Sequence, residues 1–263
     1  RMALLNDLSC FGKCSLSVAM PILSACGVET VPLPTVILST HTASGFGDYV
    51  MRDMTDEMKA FAAHWKKLDV KFDGICTGFF ASAEQIRFAE SFLRDFGGED
   101  TLIVVDPVLG DNGALYGCFS EEYVQAMRTL CKAARLITPN HTEAALLAGC
   151  SMDTDVNELL EKLPVENVII TGVRRGEEIG YCARLDGEYT EIFRPCIPQT
   201  LHSTGDVFAS ALCGALMNGK TMPCALEDAA KFCDDCVQKT VKRGEAHWYS
   251  LAFEDVLKEE RER

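Results

Sequence analysis

The sequence predicts an α/β fold built on a largely parallel sheet with helices on both faces. Three observations predict it. Strand-type and helix-type segments alternate from the N-terminus to Gly172. Asp7, Thr42, Phe79, Asp106, Asn140 and Thr171 each stand just past the expected C-terminal end of a strand, where open parallel sheets collect ligands. An apolar helix running to about Asn218 is entered through His202-Ser203-Thr204-Gly205-Asp206. The first amides of a helix lack intrahelical acceptors and carry the positive end of its dipole, so small residues there admit an anion. Asp206, in the first turn, is placed to accept a proton from a hydroxyl. The plainer reading is that Ser203 or Thr204 caps the helix and Asp206 adds first-turn charge.

Residues 2–6 read as a short buried strand and 7–15 as a small-residue loop. Residues 16–26 read as a helix ending at Gly27, with Pro21 as an irregularity. Residues 28–33 are a second strand, made edge-like or irregular by Pro32 and Pro34. Residues 36–42 form another apolar run ending in hydroxyls and His41, and 43–48 are Gly-rich. Helical spacing over 54–68 puts Met58, Phe61, Ala62 and Trp65 on one face. A strand at 72–78 gives onto Phe79, Phe80 and Ser82, and a helix over 83–96 closes at Gly97 and Gly98.

The clearest buried strand, 101–105, ends in Asp106-Pro107-Val108-Leu109-Gly110-Asp111. Ser120 caps a helix to about Ala134, and a short strand at 136–138 ends in Pro139-Asn140. Helices at 142–147 and 156–163 precede a strand at 167–170 that ends in Thr171-Gly172. Runs at 179–185 and 189–194 flank Asp186-Gly187, a hairpin signal. Residues 225–242 are a last amphipathic helix, and the charged tail from Glu254 is a terminal helix. No repeat or linker interrupts the chain, so one domain is expected.

The formal net charge of −14 argues against nucleic acid or an anionic membrane as the main partner. An anionic nucleotide stays open, since local amides and a cation override the global field. The 13 cysteines follow no extracellular framework spacing, no signal peptide opens the chain, and no apolar run reaches membrane-spanning length. Reduced thiols in a cytoplasmic enzyme are the expectation. The pair Cys233 and Cys236 lies in a helical pattern without a second pair, which reads as packing.

Two spacings sharpen the chemistry. Asp106 and Asp111 bracket a loop and can approach one cation. Asn140 and Glu143, three apart at a strand-to-helix junction, point the same way, with a capping interaction as the alternative. Neither a P-loop nor a dinucleotide fingerprint is present, so any ATP site has another architecture.

Ser39-Thr40-His41-Thr42, Asp106-Pro107-Val108-Leu109-Gly110-Asp111, Thr138-Pro139-Asn140-His141-Thr142-Glu143 and Ser203-Thr204-Gly205-Asp206-Val207-Phe208-Ala209 occur in this order across most of the chain. In that order they resemble the ribokinase-like kinases, and within them the pyridoxal/pyridoxamine kinase branch. The resemblance implies a ribokinase-like three-layer sandwich with a small β lid or flap, as a single kinase domain over 1–263. It implies ATP-dependent phosphorylation of the 5′-hydroxymethyl group of pyridoxal, pyridoxamine or pyridoxine, and commonly a homodimer. Mg²⁺ is the implied cofactor, ATP the co-substrate, and a monovalent cation a further candidate.

Carried over by position, Asp206 resembles the general base and Ser203, Thr204 and Gly205 the anion hole. Asp106, Asp111 and Glu143 resemble the residues that organise Mg²⁺ and the phosphates. Asn140, Glu143, Thr171 and Thr204 resemble nucleotide contacts. His41 and Thr42 match ring contacts, Tyr116 a residue near the phosphate end, and Phe79 an aromatic that packs on the ring. Asp7 stands where many relatives have Ser at the ring's polar edge, and Ser203 replaces the usual Gly. Hydroxymethylpyrimidine kinase is the nearest competing assignment. A non-catalytic vitamer-binding relative and a sugar or nucleoside kinase are the others.

Overall fold

The computed structural model describes residues 1–244 and 247–262, and the chain divides into two compact units. One is Arg1–Met58 with Pro198–Arg263, the other Lys59–Ile197.

In the first unit β1 (Met2–Phe11) runs well past Asn6, so Asp7 lies inside the strand and 7–15 is not the expected loop. The strand tolerates its polar residues because they bond to each other: Ser9 Oγ donates to Asp7 Oδ2 at 2.9 Å. Helix α1 (Leu16–Ala25) passes through Pro21, whose ring is exposed. The runs expected at 28–33 and 36–42 fuse into one strand, β2 (Thr30–Thr40), parallel to β1. Its prolines fit for a geometric reason. Met2 N donates to the Glu29 carbonyl, and backbone groups alternate sides along a strand. Pro32 and Pro34 therefore turn their donorless nitrogens away from β1, toward a side where β3 (Met51–Asp53) pairs only Val36 to Leu38. β3 itself, three exposed residues antiparallel to β2, is too short to show a period in the sequence. A single 3₁₀ turn (Ser44–Phe46) precedes it.

α2 (Thr55–Lys67) forms as expected, with Met58 and Ala62 buried. Phe61, at the edge of that stripe, is 42% exposed and does not belong to the buried face.

In the second unit β4 (Gly74–Thr77), β5 (Leu102–Val105), β8 (Leu136–Ile137) and β9 (Asn167–Arg175) are parallel neighbours. α3 (Ala83–Phe96) matches its expected bounds, with Ser82 Oγ accepting from Gln85 N. Two-residue strands β6 (Gly110–Asp111) and β7 (Ala114–Leu115) form a hairpin that the sequence reading missed. Its signal was Asn112-Gly113, with φ of 51° and 81°, the backbone a two-residue primed turn demands.

α4 (Glu121–Cys131) starts at its Ser120 cap and stops before Ala134, because Lys132, Ala133 and Ala134 N–H bond three residues back and tighten the end. α5 (His141–Ala148) and α6 (Val156–Lys162) follow. β9 extends beyond Ile170, so Thr171 lies within a strand rather than past its end. β10 (Glu178–Leu185) and β11 (Glu188–Pro195) complete the unit's sheet as antiparallel strands around Asp186-Gly187.

Returning to the first unit, α7 (Thr204–Met217) packs on α1, and α8 (Met222–Arg243) packs on α7. α8 begins three residues before the expected 225, with a proline in its first turn. Arg243 makes a two-point ion pair with Asp255 of α9 (Phe253–Glu262). Cys233 and Cys236 are buried on α8 and all 13 cysteines are free thiols, so this pair packs the helix. Among the described residues no helix is long and apolar enough to cross a membrane.

Candidate active site

The first unit gathers Asp7, Ser9, Cys14, Ser15, Ser203 and Asp206. The segment between β1 and α1 is bent by positive φ at Gly12 (95°), Lys13 (40°) and Ser15 (54°), and Ser15 bridges back to Leu8. Side-chain-bearing residues in this region are strained and persist where the surroundings hold them. Here the holder is the start of α7. Ser203 Oγ donates to the Lys13 carbonyl at 2.7 Å and lies 3.2 Å from Cys14 Sγ.

Ser203 is itself left-handed, with φ 68° and ψ 15°. That is how a side chain occupies a position where the resemblance implies Gly. Its hydroxyl makes no cap bond to α7, which overturns the reading of Ser203 as a capping residue. The opening amides, Thr204 to Asp206, receive nothing from it, as an anion hole requires. Ser203→Gly and Ser203→Ala both delete the hydroxyl, and only Gly relieves the backbone. Gly is expected to be more stable than Ala here by about 1–2 kcal/mol in urea melts. Equal stability of the two would show that Ser203 is not strained.

Asp206 is half-buried. Desolvation and the negative charge of Asp7 push its carboxyl up to about 6, against hydrogen bonds from the Ser15 backbone and hydroxyl and the Cys14 thiol. Asp7 is 5% exposed and burial raises its pKa, opposed by bonds from Ser15 and Ser9. Burial also raises the Cys14 thiol, with the Asp206 charge second.

His41 is buried with both ring nitrogens engaged. Nε2 meets the Tyr249 carbonyl at 2.7 Å and Nδ1 accepts from Ala43 N at 3.2 Å, which assigns the proton to Nε2. Burial lowers its pKa, so it is neutral. It therefore offers a ring face rather than a free nitrogen, beside Phe46 at 4.8 Å and His202 at 5.4 Å. Trp248 packs on Phe46 at 4.7 Å. Thr42, just beyond β2, is exposed. Ser15, Cys14 and Trp248 carry no motif, and only folding places them here.

The second unit holds the rest. Asn140 and Glu143 form a capping box at the start of α5: Asn140 Oδ1 accepts from Glu143 N at 3.0 Å, and Glu143 Oε2 accepts from Asn140 N at 2.8 Å. The alternative weighed for this spacing is the one realised. The same residues clamp the hairpin, through Leu109 N to Glu143 Oε1 at 3.1 Å, Asn140 Nδ2 to the Gly110 carbonyl at 2.9 Å and Gly113 N to Thr142 Oγ1 at 2.9 Å. Thr171 N donates to the Pro139 carbonyl at 2.9 Å, which sets Thr171 beside Asn140.

Asp111 is exposed and its two oxygens accept from Asn112, at 2.7 and 3.1 Å, so its contacts are those of the turn. Glu143 is 5% exposed; burial, and then the Asp106 charge, raise its pKa. Among the described residues no three His, Cys, Asp or Glu side chains gather to hold a metal, so Asp106, Asp111 and Glu143 do not converge as one ligand set. The donors near Asp106 still fit a hard cation that keeps most of its own waters. The charge of Asp106 bears on Glu143, and the buried Thr77 and Thr138 hydroxyls, which end β4 and follow β8 on either side of β5, have no hydrogen-bond partner among the described residues. Phe79 lies 5.9 Å and Tyr116 6.2 Å from Phe119, which stacks on Tyr123 at 3.8 Å.

Comparison with known proteins places this geometry among relatives. The phosphomethylpyrimidine kinase family matches residues 27–250. A Bacteroides thetaiotaomicron protein assigned as a phosphomethylpyrimidine kinase, in a crystal form with pyridoxal, is 38% identical, with a TM-score of 0.90 over 98% of this chain and 94% of that one. The pyridoxal kinase of Lactobacillus plantarum is 33% identical, with a TM-score of 0.91 over 98% and 95%. The hydroxymethylpyrimidine/phosphomethylpyrimidine kinase of Bacillus subtilis is 28% identical over 187 residues, 68% of each chain.

Proposed function

Because the chain belongs to the phosphomethylpyrimidine kinase family, with the ribokinase-like fold, we propose that it phosphorylates the 5′-hydroxymethyl group of pyridoxal, pyridoxine or pyridoxamine from ATP. The observation that carries this reading is Asp206, a carboxylate raised to about 6 at the first turn of a helix whose N-cap residue, Ser203, makes no side-chain cap bond. Phosphoryl transfer passes through a loose transition state, so positioning and charge stabilisation supply most of the catalysis. The amides of Thr204 to Asp206 receive the negative charge of the transferring group, and Asp206 takes the alcohol proton as the new P–O bond forms. An ionised fraction is ample at pH 7, and a base near 6 is better matched to its task than an ordinary aspartate.

Asn140 and Thr171 are the nucleotide contacts that the resemblance implies. Asp106 and Glu143, with the Thr77 and Thr138 hydroxyls, would hold Mg²⁺, which would neutralise charge on the nucleotide phosphates. The reading treats 1–263 as one kinase domain carrying both units, and takes the protein as a homodimer, which light scattering tests.

Phosphorylation of a hydroxymethylpyrimidine is the second reading, favoured by the family match itself. It presents the same primary alcohol on a nitrogen-containing aromatic ring. A coupled ADP-release assay over the three vitamers and hydroxymethylpyrimidine separates them. Turnover on the vitamers is expected. Turnover on hydroxymethylpyrimidine alone would replace the first reading by the second. Vitamer binding without ATP consumption would make the protein a non-catalytic relative.

A further inference from the structure

Lys13 is held at both ends. Its carbonyl accepts the Ser203 hydroxyl at 2.7 Å, from the residue that opens α7. Its ammonium pairs with Glu254 and lies 5.3 Å from the centre of the Phe253 ring, both at the start of α9. Between those ends the backbone is left-handed, with φ 40°, a conformation that persists where neighbours impose it. Arg243 is committed to Asp255 through two bonds, and Glu254 takes Lys13 as its ion-pair partner. Glu254 Oε2 is buried without a hydrogen-bond partner among the described residues, so the carboxylate is answered through Oε1.

A serine at a helix N-cap ordinarily has an extended backbone and accepts from the second or third amide of the helix. In α7 those amides belong to Gly205 and Asp206. Ser203 has φ 68° instead and donates its hydroxyl to Lys13. Loss of that bond lets Ser203 relax toward the extended form and turn its oxygen onto the same amides. An oxygen bound there competes with an incoming anion for the donors that would receive it.

We propose that Lys13 is a positioning residue for the transfer reaction: anchored by Glu254 and Phe253, it presents the carbonyl that keeps the Ser203 hydroxyl off the opening amides of α7. The inference rests on the reading of those amides as the anion hole. It gives the start of α9 a part in the chemistry without any contact to the substrate. The Lys13 and Glu254 side chains are each 40% exposed, and so exposed an ion pair contributes little to stability. Its removal is therefore expected to be read in turnover and to leave the fold in place.

The test uses Lys13→Met, Lys13→Arg and Glu254→Ala, each alone and combined with Ser203→Gly. Met keeps the apolar contact with Phe253 and lacks the charge, and Arg restores the charge. Lys13→Met and Glu254→Ala are expected to lower kcat roughly tenfold, with KM for the alcohol changed less than about threefold. Together they should cost no more than either alone, since both release the same carbonyl. Lys13→Arg should keep kcat within about threefold of the parent. Gly has no hydroxyl to turn onto the amides, so Lys13→Met added to Ser203→Gly should cost less than about twofold. Backbone ¹⁵N NMR follows Thr204, Gly205 and Asp206 without turnover. Their signals should move in Lys13→Met and return in Lys13→Arg.

An unchanged kcat in Lys13→Met would overturn the proposal. So would an equal loss from Lys13→Met with and without Ser203→Gly, because the hydroxyl would then not carry the effect. Arg no better than Met, or amide signals that stay in place, would overturn it as well. If Lys13→Met does not fold, Glu254→Ala decides the same point from the other partner. If the parent phosphorylates none of the alcohols, the assignment of function fails, while the amide signals still decide whether Lys13 sets the start of α7.

Discussion

Asp206→Asn is expected to lower turnover by about two to four orders of magnitude and, at the same time, to stabilise the folded chain near pH 7. The first effect follows from removing the group proposed to accept the alcohol proton. The second follows from the raised pKa. Asp206 moves from an ordinary 3.8 to about 6 on folding. Between those values the folded state binds more proton than the unfolded state, so stability is full below pH 3.8 and is lost as pH rises through about 6. At pH 7 the ionised parent therefore carries a cost that the neutral amide does not. A shift of this size corresponds to at most about 3 kcal/mol, and partial exposure reduces it to about 1–2 kcal/mol. Thermal melts at pH 4, 7 and 8 should show the variant gaining on the parent only at the higher values. Turnover near that of the parent would remove Asp206 from the role of base, and equal melts at every pH would show its carboxyl to be unperturbed.

Glu143→Ala is expected to cost about 2–4 kcal/mol without any nucleotide or metal present. Its two oxygens accept from Leu109 N and Asn140 N inside a site 5% exposed. Deletion breaks a capping box and strands buried donors, at about 1–3 kcal/mol for each unsatisfied group. It also releases the loop that holds the β6–β7 hairpin. Urea unfolding in metal-free buffer with EDTA measures this directly. A midpoint equal to that of the parent would mean that Glu143 acts only through a ligand. Glu143→Gln keeps one acceptor and should fall between the two.

Local features were legible in the sequence. Ser82 and Ser120 marked helix starts because a cap is a contact three residues long. The proximity of Asn140 and Glu143 followed from spacing, but spacing alone does not separate a metal-binding pair from a cap. Ser203 was legible as a departure from Gly, and its left-handed backbone is the physical content of that departure. Asp7 was misplaced because small polar residues read as a loop, whereas a strand accommodates them once Ser9 and Asp7 satisfy each other. The β6–β7 hairpin was legible in Asn112-Gly113 and was missed. The engagement of His41 with Tyr249 joins residues 208 apart, a separation that no local pattern encodes.

The site of the carboxylate that defines the proposed chemistry is therefore closed only after a long stretch of chain has been made. Asp7 and Ser15 leave the ribosome before Ser203, which closes on Lys13 across 190 residues, with the whole of Lys59–Ile197 translated in between. Closing so long a loop is entropically unfavourable until the final helices are available to bury α7. A nascent chain can already have folded its second unit and still possess no organised base.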